Sequence, residues 1–185
     1  TLKEIFTNLR GLSITAPYKK HFLDKVEMTK EIRELGAINC IKSDTDCFYA
    51  TNTDYLAVEE ILEELNFLDL NIIILGNGSM AAITKAILNK NNKTFSLLSR
   101  KDYGDLSSID LSKFENPQKM LVINSCSRTF EFSGVVSSKA IFWDYNYSHS
   151  FHNLNLSKRC DYRDGLDLLY RQAIHATKFW NFPIL

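Results

Sequence analysis

The residues best suited to chemistry form a glycine-rich turn near the middle of the chain. Residues 76–81, Gly-Asn-Gly-Ser-Met-Ala, have the form G-x-G-x-x-A and stand between a short apolar run and a helical pattern. The first glycine of such a turn permits a tight bend, the second lets the backbone approach a pyrophosphate, and the first helical amides hold the phosphate charge. We predict a dinucleotide-binding loop, with an unoccupied structural turn as the alternative. The predicted cofactor contacts are Gly76, Asn77, Gly78, Ser79 and Met80.

A basic turn follows the next apolar run. An acidic residue at this place would bind the ribose hydroxyls of NAD. The sequence instead has Ser99, Arg100 and Lys101, and the first carboxylate comes only at Asp102. Arginine and lysine suit a 2′-phosphate, so these three residues favour NADP over NAD, and a solvated basic turn is the alternative.

Two polar loops in the first third of the chain hold further candidates. Pro17-Tyr18-Lys19 follows a short apolar run, and Asn52-Thr53-Asp54 precedes a helical pattern. Taken alone, Lys19 is a solvated surface cation and Asp54 is an N-cap of the following helix.

The composition limits the class of protein. The chain has 185 residues, 22 Lys and Arg against 22 Asp and Glu, and 45% hydrophobic residues. This composition excludes disorder, and the balanced charge gives no support for nucleic-acid binding. No apolar run has the length of a membrane span. The four cysteines show no zinc-binding spacing, so we predict no metal site and expect reduced, mostly buried thiols in a cytoplasmic protein.

Apolar periodicity divides the first half of the chain into short elements. The predicted helices cover residues 2–9, 29–35 and 54–65, and the predicted strands cover residues 12–15, 38–42 and 47–51. Gly36 supplies a left-handed end to the second helix. The last two strands flank the polar turn Ser43-Asp44-Thr45-Asp46, which predicts a hairpin.

From Asn71 onward the apolar runs are continuous rather than alternating. The predicted strands are residues 72–75, 95–98, 120–123 and 140–143, and the predicted helices are residues 80–89 and 165–180. Continuous apolar strands indicate a parallel sheet that is covered on both faces. The predicted fold class is therefore α/β, with a small α/β substrate lobe followed by a Rossmann-like, doubly wound parallel sheet that forms a nucleotide lobe.

Eight segments, taken in order, resemble the motifs of the shikimate dehydrogenase family. They are residues 13–19 (similar to N/S-V-T-x-P-x-K), 36–41 (G-A-V-N-T-I/L), 52–54 (N-T-D-G), 76–81 (the glycine loop), 99–101 (N-R-T), 123–126 (I-N-A-T), 144–147 (D-x-x-Y) and 164–172 (D-G-x-x-M-L-x-x-Q). The resemblance covers most of the chain, and its strength lies in the order of the segments.

The resemblance implies an enzyme that reduces 3-dehydroshikimate to shikimate with NADP, in the biosynthesis of aromatic amino acids. It implies that residues 1–65 form a substrate-binding and catalytic lobe truncated at its N-terminus. Residues 66–163 would then form the NADP-binding lobe, and residues 164–185 a C-terminal helix that returns to the substrate lobe.

The same resemblance assigns roles to single residues. Lys19 would be the acid/base lysine that exchanges a proton with the substrate oxygen, and Asp54 would be its partner. Tyr145 and Gly165 would join the cofactor contacts, with Gly165 close to the nicotinamide. The implied substrate-binding residues are Thr15, Asn39, Tyr147 and Gln172. Without the resemblance, Tyr147 is equally well an amphipathic boundary residue and Gln172 a helix-surface residue.

The sequence departs from the family pattern in several places. The family's N-terminal S-x-S-P motif is absent, so we expect an N-terminal piece to be missing. Tyr55 stands where the family has a glycine after N-T-D, the segment between Arg100 and Asn124 is short, and no T-P-x-x motif follows Tyr147. Two alternatives therefore stay open: a dehydrogenase of quinate or another polyhydroxy ring acid, and a non-catalytic shikimate- or dinucleotide-binding module or fragment. The sequence leaves both a monomer and a homodimer open.

Overall fold

The computed structural model of the chain describes residues 1–44, 47–114, 116 and 118–182. Thr45 and Asp46 of the predicted hairpin turn lie outside the described residues, as do residues 183–185. The chain divides into two compact units: the first unit is Thr1–Ala57 with Tyr170–Leu185, and the second unit is Val58–Leu169. Within the described ranges, no helix is long and apolar enough to cross a membrane.

Short helices and strands alternate along the chain. The helices are α1 (Leu2–Ile5), α2 (Lys30–Leu35), α3 (Thr53–Glu64), α4 (Ser79–Lys90), α5 (Arg100–Tyr103), α6 (Ser150–Leu156) and α7 (Leu166–Phe179). The strands are β1 (Gly11–Ser13), β2 (Cys40–Asp44), β3 (Cys47–Thr51), β4 (Asn71–Leu75), β5 (Phe95–Leu98), β6 (Met120–Asn124), β7 (Ile141–Asp144) and β8 (Asp161–Arg163). Single 3-10 turns cover Tyr18–Lys20, Phe67–Asp69 and Leu111–Phe114.

An antiparallel sheet in the order β1-β2-β3 is the frame of the first unit. The buried Ile41 of its central strand pairs with Leu12 of β1 and with Ala50 of β3. The indole nitrogen of Trp180 donates to the carbonyl of Ile41 at 3.1 Å. A Cβ on Gly11 would lie 2.5 Å from Cδ1 of the same indole ring. Gly11 is therefore needed for the close packing of Trp180 on the sheet.

The start of the first unit is less helical than predicted. The helix predicted over residues 2–9 is only the four-residue α1, and the strand predicted over residues 12–15 is only β1. Thr7 explains the early end, because its hydroxyl donates to the carbonyl of Lys3 at 3.1 Å and competes with the helix ladder. The next helix follows its prediction, and Gly36 ends it with φ at 65°.

A five-stranded parallel sheet in the order β5-β4-β6-β7-β8 is the frame of the second unit. All five residues of β6 and all four residues of β7 are buried, as expected for continuous apolar strands. The predicted α/β fold with a Rossmann-like sheet is confirmed. The strand order reverses around β4, which lies between β5 and β6. In open parallel sheets, ligands bind beyond the carboxyl ends of the strands at such a reversal.

Three elements of the second unit were not predicted. Strand β8 at the sheet edge has one half-buried residue, Tyr162, between two exposed ones. Helix α6 is rich in serine, asparagine and histidine, which have poor helix propensity. Between β5 and β6, the described residues of the connection form the four-residue α5 and one 3-10 turn. A weak helix in this connection agrees with the short segment noted in the sequence.

Candidate functional site

A lysine and an aspartate meet in the first unit. The Nζ atom of Lys19 lies 2.8 Å from Oδ2 of Asp54, and these side chains are 25% and 19% exposed. Lys19 lies in the 3-10 turn Tyr18–Lys20, whose position is fixed because the Ile38 amide donates to the Lys19 carbonyl at 2.9 Å. Asp54 lies in the first turn of α3. The sequence separates these two residues by 35 positions, and the fold makes them an ion pair.

The helix cap comes from a neighbour of Asp54. The Oδ1 atom of Asn52 accepts the amide of Tyr55 at 3.1 Å, and Nδ2 of Asn52 donates to the carbonyl of Ala37 at 3.1 Å. The interpretation of Asp54 as an N-cap is therefore wrong. Asn52 accepts the amide of Tyr55, the hydrogen bond that an N-cap side chain makes at the start of a helix. The carboxylate of Asp54 is therefore available to hold the lysine ammonium.

Neutral polar groups lie next to the pair. The Oδ1 atom of Asn39 accepts the Thr53 amide at 2.7 Å, and its Nδ2 donates to the Thr53 hydroxyl at 3.0 Å. The same hydroxyl lies 3.3 Å from Oε1 of Gln172 on α7. Thr15 is exposed, and its carbonyl accepts the Tyr18 amide at 2.9 Å at the start of the lysine turn. Four predicted site residues, Asn39, Gln172, Lys19 and Asp54, thus join one hydrogen-bonded neighbourhood around residues 53 and 54.

A buried thiol belongs to the same neighbourhood and was not predicted. Burial raises the pKa of Cys40 to about 11, although hydrogen bonds with Thr53 and Ser13 act in the opposite direction. Cys40 therefore stays a neutral thiol at physiological pH. Cys40 directly follows Asn39 in residues 36–41, which resemble a family motif, and this position could have identified it.

The thiols of the chain are less buried than expected. The described cysteines are free, but only Cys40 is buried, while Cys47 is exposed and the other two, Cys126 and Cys160, are intermediate. The expectation of mostly buried thiols is wrong, because Cys47 opens the edge strand β3 and faces solvent. Among the described residues, no group of three His, Cys, Asp or Glu side chains could hold a metal ion.

A cavity of about 610 Å³ opens at the reversal point of the parallel sheet in the second unit. Such a volume is typical of ligand sites. Six predicted cofactor contacts line it: Gly76, Asn77, Gly78, Ser99, Arg100 and Lys101. The lining residues that were not predicted are Asp105, Leu106, Ser125, Cys126, Ser127, Thr129 and Phe130. Most of these residues follow β6. Because β6 lies next to β4 in the parallel sheet, its predicted carboxyl end could have identified them as lining residues.

The two glycines of the loop have different surroundings. Gly76 has φ at 92°, and a Cβ there would lie 3.0 Å from Sγ of Cys126 and 3.1 Å from its amide nitrogen. Gly78 is the N-cap of α4 with φ at −88°, and a Cβ there would meet nothing within 4 Å. Gly76 is thus required by the bend of the loop and by the packing against Cys126. Gly78 instead leaves the backbone open to the approach of a ligand. Lys85 of α4 reaches back to this loop, where its Nζ donates to Oδ1 of Asn77 at 2.8 Å.

Other predicted contacts lie elsewhere in the second unit. Ser79 and Met80 form the first turn of α4. The hydroxyls of Tyr145 and Thr84 are 2.6 Å apart, and burial raises the pKa of Tyr145 far above its usual range. A Cβ on Gly165 would lie 2.2 Å from the carbonyl oxygen of Tyr145, so only glycine allows this approach.

Tyr147, the predicted substrate residue of the second unit, is partly exposed. Its ring is covered by the guanidinium of Arg128, whose Cζ lies 5.0 Å from the ring centroid. This cation–π contact fixes the ring while its hydroxyl keeps both donor and acceptor capacity.

Comparisons with known proteins identify relatives over most of the chain. No family model matches it. The shikimate dehydrogenase (NADP(+)) of Buchnera aphidicola subsp. Schizaphis graminum (strain Sg) is 30% identical over 203 residues, which cover 94% of this chain and 73% of that protein. The crystal structure of shikimate dehydrogenase from Aquifex aeolicus covers 97% of this chain and 77% of its own at a TM-score of 0.74 and 20% identity. Quinate dehydrogenase from Corynebacterium glutamicum in complex with NAD covers 97% of this chain and 77% of its own at a TM-score of 0.70 and 17% identity.

A Rossmann-like parallel sheet with a glycine loop at its reversal point is the frame of a dinucleotide-binding α/β protein, and the relatives make the class that of the oxidoreductases. Within that class, the chain belongs to the shikimate dehydrogenase family. The predicted family and enzyme class are confirmed. The name of the Buchnera relative contains NADP(+), the dinucleotide that the basic turn favours.

Proposed function

We propose that this chain transfers hydride between NADP and shikimate, in the direction that reduces 3-dehydroshikimate in aromatic amino acid biosynthesis or in its reverse. The observation that carries the proposal is the Lys19–Asp54 ion pair, with 2.8 Å between Nζ and Oδ2 and both side chains partly exposed. A binding module has no need of a charged pair that keeps access to solvent, whereas proton exchange with a substrate oxygen requires it.

The first unit supplies the proton chemistry in this proposal. The ammonium of Lys19 gives a proton to the carbonyl oxygen as the ring carbon is reduced, and its amine takes the proton back from the hydroxyl in oxidation. Its positive charge stabilises the negative charge that develops on the oxygen. Asp54 orients the lysine. Thr15, Asn39 and Gln172 of this unit bind the neutral and anionic oxygens of the substrate, and Tyr147 of the second unit stays a predicted substrate contact.

The second unit supplies the dinucleotide site. When bound, NADP supplies or accepts the hydride. The residues present fit such a group, because the space beside Gly78 is open and because the exposed Arg100 and Lys101 line the cavity of about 610 Å³. The amides at the start of α4 would hold the pyrophosphate, and the two cations the 2′-phosphate. Ser79, Met80, Tyr145 and Gly165 stay predicted contacts.

The domain assignment and the location of the protein are also proposals. Residues 1–65 would bind the substrate together with the helix of residues 164–185, and residues 66–163 would bind NADP. The grouping of Tyr170–Leu185 with Thr1–Ala57 in one unit supports the return of the C-terminal helix, while residues 58–65 and 164–169 group with the second unit. A cytoplasmic location stays a prediction.

The test is shikimate-dependent reduction of NADP, followed at 340 nm, in the wild type and in Lys19→Ala. We expect the variant to lose turnover by about 10²- to 10⁴-fold, the usual contribution of a positioned acid/base group, with an unchanged NADP dissociation constant. Lys20→Ala is the matched control, because Lys20 lies in the same 3-10 turn but is exposed. Normal turnover by Lys19→Ala would refute the mechanism. NADP binding without any turnover in the wild type would identify a binding module.

Quinate and NAD are the parallel substrates in this assay. Tyr55 occupies the place of the family's glycine and is buried with 3% exposure, so its bulk is part of the packing beside Asp54. Faster turnover with quinate than with shikimate would favour the alternative of a quinate dehydrogenase.

A further inference from the structure

A buried aspartate and histidine in the second unit have no part in the proposed proton chemistry. The Nδ1 atom of His152 lies 2.5 Å from Oδ2 of Asp144, and both side chains are completely buried. Asp144 ends β7, and His152 lies on α6, eight residues later. Burial of an ionisable pair costs free energy that an apolar pair would not, so a role beyond stability is expected.

Asp144 collects hydrogen bonds from two asparagines. Its Oδ1 accepts from Nδ2 of Asn124 at 2.9 Å, from the amide of Asn146 at 2.9 Å and from Nδ2 of Asn146 at 3.0 Å. With His152 on the other oxygen, the carboxylate has four donors. These bonds join the carboxyl ends of β6 and β7, where the loops of this unit begin.

The two asparagines also bind the main chain of Cys126, a residue that lines the dinucleotide cavity. The Oδ1 atom of Asn124 accepts the amide of Cys126 at 3.1 Å, and Nδ2 of Asn146 donates to the carbonyl of Cys126 at 3.2 Å. Both main-chain polar groups of Cys126 are therefore held by side chains that also bind Asp144. Cys126 in turn forms the wall against Gly76 of the glycine loop.

His152 holds the same loop at its other end. Its Nε2 accepts the amide of Phe132 at 2.7 Å, and its ring lies 6.3 Å from the ring of Phe130, which lines the cavity. Because Nε2 accepts a hydrogen bond, the ring proton is on Nδ1 and is donated to Asp144. One neutral ring therefore ties the carboxylate to the far side of the loop.

We propose that Asp144 and His152 are positioning residues for the dinucleotide site: they fix the loop of residues 124–132, which forms one wall of the cavity, from beneath. This proposal rests on the proposed NADP binding. Neither residue touches the cavity, so the pair acts only through Asn124, Asn146 and the amide of Phe132.

The test compares the NADP dissociation constants of folded variants that lose similar amounts of stability. We expect His152→Leu to weaken NADP binding by about 10-fold or more, since small displacements of positioning groups have effects of this size. Leu156→Ala is the matched control, because Leu156 is fully buried on the same helix and makes no bond to the network. It should lose stability but keep its affinity for NADP. His152→Gln, which has both a donor and an acceptor, should recover part of the affinity.

A gentler variant keeps the proposal testable if His152→Leu does not fold. Asn146→Ala retains the Asp144–His152 pair and removes two bonds of one Nδ2 atom, to the carbonyl of Cys126 and to Oδ1 of Asp144. It should also weaken NADP binding. Amide hydrogen exchange gives a readout without ligand: we expect faster exchange at the Phe132 amide in His152→Leu, because Nε2 of His152 is its acceptor, and no faster exchange at this amide in Leu156→Ala.

The wild type is titrated with NADP first, so that two failures can be told apart. Absence of NADP binding in the wild type would overturn the proposed function. NADP binding by the wild type with equal affinity in Asn146→Ala, in Leu156→Ala and in any folded His152→Leu would overturn the positioning role alone. Selective loss of affinity in the network variants would support it.

Discussion

The two units each contain a carboxylate paired with a basic side chain, and the pairs differ in exposure. In the first unit, the side chains of Lys19 and Asp54 are 25% and 19% exposed. In the second unit, His152 and Asp144 are 0% exposed, and four donors surround the carboxylate. A group that exchanges a proton with a substrate must keep one side open, whereas a group that holds backbone in place works best with every acceptor position occupied. Exposure therefore distinguishes the pair proposed to exchange a proton from the pair proposed to hold the loop.

The largest effect is expected on the free energy of unfolding, when a substitution in the buried Asp144–His152 pair is compared with one in the partly exposed Lys19–Asp54 pair. Asp144→Ala should lower the free energy of unfolding by on the order of 3–5 kcal/mol, because it leaves several buried donors without an acceptor. Lys19→Met should lower it by less than about 1 kcal/mol, because the pair is partly solvated. Urea denaturation of both variants measures the difference. Equal losses would mean that exposure does not distinguish the pairs.

A smaller effect is expected at the glycine loop, where one variant is the control for the other. Gly76→Ala should destabilise the protein by about 1–2 kcal/mol, because a side chain is unfavourable at φ 92° and its Cβ would press on Cys126. Gly78→Ala should change stability by less than about 0.5 kcal/mol, because its φ is ordinary and the space beside it is empty. Thermal unfolding measures both.

NADP titration of the same two variants sharpens the comparison. Gly78→Ala should weaken binding despite its normal stability, because its new methyl group would stand where the pyrophosphate approaches. If Gly78→Ala bound NADP as the wild type does, the loop would be a structural turn.

The sequence predicts most of the parallel sheet because its strands are buried on both faces. Phe95–Leu98 is predicted at both ends, and the glycine loop falls directly after β4 as expected. Strand β8 is missed because Tyr162 is its one apolar side chain, whereas β5, the strand at the opposite edge, has three apolar residues. Helix α1 is predicted too long because apolar spacing continues past Thr7, where a side chain competes for the backbone. Local patterns therefore identify strands with a continuous apolar run, at the centre or at the edge of the sheet, and miss a strand without one.

The candidate site is predictable to a different extent in the two units. Motif order identifies Lys19 and Asp54, although their separation in sequence hides that they form an ion pair. The network beneath the cavity has no local signal, because Asp144 and His152 meet only when α6 folds back on β7. Asn124 and Asp144 lie within quoted motifs, but their bonds to the loop follow from three-dimensional packing.

The smallest effect is expected at an exposed contact with the same cavity. Lys85 donates to Asn77 of the glycine loop at 2.8 Å in an exposed position, whereas Asn146 holds the opposite wall through a part-buried hydrogen bond. Water can replace an exposed hydrogen bond, so Lys85→Met should weaken NADP binding by less than about 3-fold and change stability by less than about 0.5 kcal/mol. Isothermal titration of Lys85→Met beside Asn146→Ala measures both contacts in one experiment. A larger loss in Lys85→Met than in Asn146→Ala would mean that the loop is held from its solvent side, and that burial is a poor guide to which contacts position this site.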